Sequence, residues 1–164
     1  MIEVDIEVED ETWRSVGQSL ESSVKAAVEL ALAAEDGGAV TVLLTSNEVV
    51  QDLNREFRGK DSPTNVLSFP AAPTARPHLG DIALAYGVCA DEARVQGKSL
   101  ERHVQHLAAH GALHIVGYDH QTEDEAVVME DKERAIMARL GAPDPYQTVG
   151  SPAPPEVEDA HVDV

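Results

Sequence analysis

Residues 2–8 alternate strictly, with Ile2, Val4, Ile6 and Val8 apolar and Glu3, Asp5 and Glu7 acidic between them. A period of two is that of a strand with one face buried and one in water. The period then lengthens. Val16, Leu20, Val24, Ala27, Val28 and Ala31 recur three and four residues apart, which predicts one helix over 12–34, closed by Gly37-Gly38. A second strand is expected over 39–45, and Thr45-x-x-Glu48 has the form of a capping box opening a short helix through Phe57. A polar loop over 58–65 leads to a third strand at 66–69, stopped by Pro70, and a loop over 71–78 leads to a fourth strand at 79–86. Helical structure follows up to Gly97. Ser99 is a cap for the next helix, and Thr122-x-x-Glu125 opens the last, which ends at Leu140-Gly141.

The pattern changes once more at Gly141. Residues 141–164 hold five prolines, five acids and no Lys or Arg, and are expected to form a disordered acidic tail on a single folded domain of residues 1–140. On this reading, deletion of 142–164 leaves the fold intact. The order of elements predicts an α+β fold: one small mixed four-stranded sheet packed with helices.

Composition narrows the picture in three places. With 43% hydrophobic residues but only 4% aromatic, the core must be built from Val, Leu, Ile and Ala. The single cysteine, Cys89, excludes an internal disulfide and a thiolate-based metal site. The opening Met1-Ile-Glu-Val-Asp has neither a basic stretch nor an apolar signal, and no window is apolar enough to span a membrane, so a cytoplasmic location is expected. The net charge of −18 by itself argues against nucleic acid, yet Arg55, Arg58 and Lys60 gather within six residues.

The chemistry is concentrated in His106-Leu-Ala-Ala-His110-Gly-Ala-Leu-His114-Ile-Val-Gly117-Tyr-Asp-His120. His110 and His114 are four apart and share a helix face. Gly117 stands where the chain must leave the helix, and a left-handed turn there folds His120 back as a third ligand. Three neutral imidazoles leave a fourth position open, the pattern of a catalytic zinc site, although such a set also suits other divalent ions. His106 is too far along the axis from His114 to share the ion and is expected to be buried and hydrogen-bonded, whereas His103 is expected at the surface. His78 and His161 have no ligand partner nearby in sequence. The spacing H-x-x-x-H-x-x-G-x-x-H equals that of the metzincin proteases except that Gly111 replaces their catalytic Glu. A zincin-like metal helix is therefore expected without the protease base.

These residues resemble the signature of the YbeY family, bacterial endoribonucleases also called rRNA maturation factors. Leu53-Asn-Arg-Glu-Phe-Arg-Gly-Lys60, Pro63-Thr-Asn-Val-Leu-Ser-Phe-Pro70 and Leu79-Gly-Asp-Ile82 resemble further blocks of it, so the likeness runs over about 1–140. The resemblance implies a single-strand-specific endoribonuclease with one Zn²⁺ on His110, His114 and His120. It also implies a role in maturing the 3′ end of small-subunit (16S) rRNA and in ribosome quality control. The family's RNA-contacting arginine corresponds to Arg58. Asp119 is a candidate base, or a partner that orients a histidine ligand, or a plain turn carboxylate. RNA, the small ribosomal subunit and a ribosomal protein are the partners implied. Two alternatives stand beside this reading: a zincin-like metalloprotease, and a non-catalytic ribosome-assembly factor with a structural metal.

Overall fold

The alternating run forms the edge strand β1 (Ile2–Val8), with Glu3, Asp5 and Glu7 exposed and Val4 buried. A computed structural model describes residues 1–146 of the chain. The expected tail from residue 147 onward, His161 included, lies outside the described residues.

Between β1 and the next strand, the expected single helix is two pieces: a 3-10 turn over Glu11–Ser15 and the helix α1 (Leu20–Ala31). Asp10 caps the turn by accepting from the Thr12 N–H. Trp13 is buried, and its indole N–H donates to the Thr45 carbonyl at 2.8 Å. That bond ties the turn to β2 (Gly38–Thr45) and swings the chain away from the line of α1 at Gly17, whose φ is 143°. Leu20, Val24, Ala27 and Val28 of the expected stripe are buried as the periodicity requires.

α2 (Asn47–Arg58) is capped by Ser46, whose hydroxyl accepts from the Val49 N–H, and not by Thr45. Thr45 is the last residue of β2 and is itself buried. β3 (Val66–Pro70), β4 (His78–Ala85), α3 (Tyr86–Gln96), α4 (Leu100–Ile115) and α5 (Glu123–Arg139) follow, with a short 3-10 turn over Pro73–Ala75 inside the expected loop. Ser99 caps α4, and Thr122 and Glu125 close the expected capping box of α5.

The sheet runs β1-β2-β4-β3, with β1, β2 and β4 parallel and β3 antiparallel to β4. It is thus the small mixed four-stranded sheet that the pattern predicts, with five α-helices around it among the described residues. Ile82 and Leu84 of β4 face α1 and α4, together with Val40, Val42 and Val66. Ala83 and Ala85 face the other way, against Val50 and Leu53 of α2. None of the helices among the described residues is long and apolar enough to cross a membrane.

α4 is the helix that everything else encloses. Its residues 103–113 are buried without exception. Val104, Leu107, Ala108, Ala112 and Ile115 lie on the sheet. Ala109 and Leu113 pack with Ala27 of α1 and with Met129 and Ile136 of α5. The run of small residues is what lets a helix be wrapped this closely: a Cβ on Gly111 would stand 3.2 Å from Cγ2 of Ile82.

The ordered contacts continue past the boundary expected at 140. Arg134 binds the Asp144 carboxylate at 3.1 and 3.2 Å, and Lys98 donates to the Pro145 carbonyl at 2.6 Å. Tyr146 packs edge-on against the His106 ring at 5.3 Å. Deletion of 142–164 is therefore expected to lower the melting temperature by several degrees, from about 1–3 kcal/mol of lost hydrogen bonding at a buried site. Deletion of 147–164 alone should leave it unchanged. Thermal unfolding of the two truncations by circular dichroism checks this, and equal melting temperatures would return the boundary to 140.

Candidate metal centre

α4 brings His110 and His114 onto one face, and Gly117 turns the chain back with φ 104°. The turn is closed by Gly117 N–H to the His114 carbonyl at 3.0 Å and Tyr118 N–H to the Leu113 carbonyl at 3.1 Å. Asp119 then accepts the His120 N–H on Oδ1 at 2.8 Å, which sets the backbone that carries the third ring. The outcome is three imidazoles with one ring nitrogen each, all within 4.8 Å of one another. Ring centroids are 4.7 Å apart for His110 and His114, 5.4 Å for His110 and His120, and 5.3 Å for His114 and His120. His110 is buried and the other two are half-buried. Burial, and then the neighbouring His110, lower the pKa of His120, so its ring is neutral and keeps a lone pair for a cation at neutral pH.

The donor set fits a divalent cation. Nε2 of His110 is buried and has no hydrogen-bond partner, while Nδ1 of the same ring lies 2.8 Å from Oε2 of Glu133. Burial alone would raise the pKa of Glu133, but His110 and His106 overcome it and hold the carboxyl well below its ordinary range. An ionised carboxylate can only accept, so Nδ1 of His110 carries the proton and Nε2 the lone pair. Oε1 of Glu133 accepts from Nε2 of His106 at 2.5 Å and from the hydroxyl of Tyr146.

Glu133 was not among the expected site residues. Its signal is nonetheless in the sequence: Met129, Glu133, Ile136 and Met137 form the buried stripe of α5, and the stripe contains one acid. An acid on a core stripe implies a buried partner.

His106 is buried and hydrogen-bonded, as its spacing implies. His103 is not at the surface. It is 2% exposed, and its Nε2 lies 2.8 Å from Glu92, which also accepts from the Asn65 side chain at 3.1 Å. The partner acid belongs to α3, so α4 alone gives no hint of it. His78 pairs instead with Asp81 at 3.3 Å.

Arg58 lies at the last turn of α2, half-buried, on the helix that covers the other face of the sheet. It nevertheless shares an end of the sheet with the histidines. Phe57 stacks edge-on with Phe69 at 5.5 Å, and Phe69 pairs with Asp81 beside Gly80. From the opposite face, the end of α4 reaches the same corner: a Cβ on Gly80 would meet Ile115 at 3.0 Å. Arg55 is engaged by Asp52 at 2.7 Å and Asp61 at 3.0 Å, so the cluster of positive residues is less basic than the sequence implies.

The endoribonuclease YbeY family model matches residues 5–141. A protein of Rhodopseudomonas palustris named endoribonuclease YbeY is 51% identical over 152 residues, covering 87% of this chain and 80% of that relative. One of the same name from Maricaulis maris is 48% identical over 146 residues, covering 87% of this chain and 91% of the relative. The solution structure of a Thermotoga maritima protein superposes with a TM-score of 0.52 at 23% identity, over 86% of this chain and 92% of that one, which shows the same fold. With the match running from β1 to the end of α5 and half the residues identical to such relatives, the chain belongs to the YbeY family.

Proposed function

We propose that this protein is a metal-dependent endoribonuclease that cuts single-stranded RNA, with a Zn²⁺ held by His110, His114 and His120. The observation that carries the reading is the cluster itself, three imidazole nitrogens within 4.8 Å, two of them on a helix that has Gly111 where a zincin protease has its base and the third on the turn after it. The cluster stands in a chain whose relatives are named endoribonucleases. A cation so held supplies Lewis-acid polarisation of a phosphoryl oxygen and a water of lowered pKa. The rest falls to the chain. Glu133 fixes the His110 tautomer, and Asp119 sets the turn that presents His120. Arg58 reaches around the β3 edge to a phosphate of the RNA, as a planar, permanently charged donor.

Gly111 disfavours the protease reading, because it faces Ile82 and not open solvent. The substrate in the cell is the 3′ end of small-subunit rRNA. A protein partner on the ribosome supplies the docking surface that a chain of charge −18 does not. Elemental analysis, with RNA and peptide hydrolysis assayed with and without a chelator, tests this: about one ion per chain and chelator-sensitive cleavage of RNA alone are expected. Peptide hydrolysis, or RNA cleavage indifferent to the chelator, would sink it.

Arg58→Ala is expected to lower RNA cleavage about 10–100-fold, the loss of one charge-assisted contact, and to leave the metal content near one per chain. Metal lost along with activity would place Arg58 in the support of the ion and not at the phosphate.

A further inference from the structure

The carboxylate of Glu133 is fully buried and receives three donors from two parts of the chain: His110 and His106 of α4, and Tyr146 from beyond α5. Tyr146 is not there by accident of a loose end. Its N–H donates to Oδ1 of Asp144 at 2.8 Å, and Asp144 is gripped by Arg134. Its ring lies under the Arg134 guanidinium at 5.3 Å and against His106 at 5.3 Å. Lys98 holds the Pro145 carbonyl. The segment 142–146 is thus fastened to the α3–α4 connection, α4 and α5 around a single buried acid.

We propose that Glu133 is a positioning residue for the metal ligand His110, and that Tyr146 acts through it, so that the C-terminal strap sets how tightly the site holds its ion. The inference rests on the proposed ion at His110. Both carboxylate oxygens accept, so His106 and His110 must each present an N–H to Glu133. His110 is thereby locked with its lone pair on Nε2. An amide in the same place has one acceptor and one donor. It cannot accept from both rings, and whichever ring faces the NH₂ group must turn its lone pair inward. The Tyr146 hydroxyl donates to Oε1, the oxygen shared with His106, and holds the carboxylate plane in the position that leaves Oε2 for His110.

The test is cobalt(II) and zinc(II) affinity of the full chain, read by competition with a chromogenic chelator. The cobalt absorption spectrum and the melting temperature of the metal-free protein are recorded alongside. Glu133→Gln is expected to weaken binding about 10–100-fold, and Tyr146→Phe about threefold to tenfold, with the cobalt spectrum shifted in both. The double variant should bind no more weakly than Glu133→Gln, since Tyr146 has nothing to act on without the carboxylate. An equal loss from Tyr146→Phe in the Glu133→Gln background would overturn the relay. Should Glu133→Gln fail to fold, Tyr146→Phe carries the test alone, and wild-type affinity and spectrum there would overturn it. A wild-type chain that takes up neither metal overturns the metal reading as well, a different result from wild type and Tyr146→Phe binding equally.

Discussion

Replacing His114 by alanine is expected to remove bound metal and RNA cleavage together while the protein stays folded. The proposed site has three ligands from the chain, and structural zinc sites of four ligands bind with about 10–16 kcal/mol of apparent free energy. Taking that as about 2.5–4 kcal/mol per ligand, the variant loses roughly two to three decades of affinity, enough to empty the site at micromolar metal. The fold should tolerate the change. His114 is half-buried at the exposed end of α4, and the helix is held by Val104, Leu107, Ala108, Ala112 and Leu113, each 1% exposed or less. The informative combination is cleavage, metal content and melting temperature on one preparation. RNA cleavage that survives in protein freed of contaminating nuclease would end the catalytic role of the cluster. A collapse of the fold with the metal would make the ion structural, the part played in the assembly-factor alternative.

The strands and the histidine-bearing helix were legible because their signals are local. Alternation in residues 2–8 states which face of β1 is wet, and the spacing of His110, His114, Gly117 and His120 encodes the cluster within eleven residues. What was not legible depends on contacts distant in sequence. Trp13 leaves the line of α1 because its indole bonds to Thr45, thirty-two residues on, while Val16 happens to continue the helical stripe. His103 lies on a helix that is buried all round, so a polar residue there is no sign of solvent; its partner Glu92 and the Asn65 beyond it come from α3 and the residue just before β3. The strap after α5 was invisible for another reason. Its prolines and acids read as disorder until Arg134, Lys98 and Glu133 supply the partners that Asp144, Pro145 and Tyr146 require. Glu133 falls between these cases. The stripe of α5 carries the anomaly openly, and only the identity of the partner needed the fold.

The other large expected effect concerns Gly111, the position at which this chain departs from the zincin proteases. Gly111→Glu is expected to unfold the protein and not to create a peptidase. The side of α4 that carries Gly111 faces the sheet: a Cβ would lie 3.2, 3.4 and 3.5 Å from Cγ2, Cγ1 and Cδ1 of Ile82, which is fully buried. Beyond that Cβ, a glutamate must thread a carboxylate between α4 and β4, among Ala108, Ala112 and Leu84 of the same core. Overpacking costs about 1–3 kcal/mol, and a buried carboxylate without a partner several more. Together they rival the whole stability of a small domain, about 5–15 kcal/mol. Gly111→Ala is the graded control. Ile82 must yield by a few tenths of an ångström, which the gain in helix propensity of up to about 1 kcal/mol offsets, so its melting temperature should stay close to that of the wild type. Melting curves and a peptide-hydrolysis assay on both variants decide the matter. A Gly111→Glu protein that melts like the wild type and cuts peptides would mean that residue 111 looks toward the ion, and that the helix is turned on the sheet from where it is described.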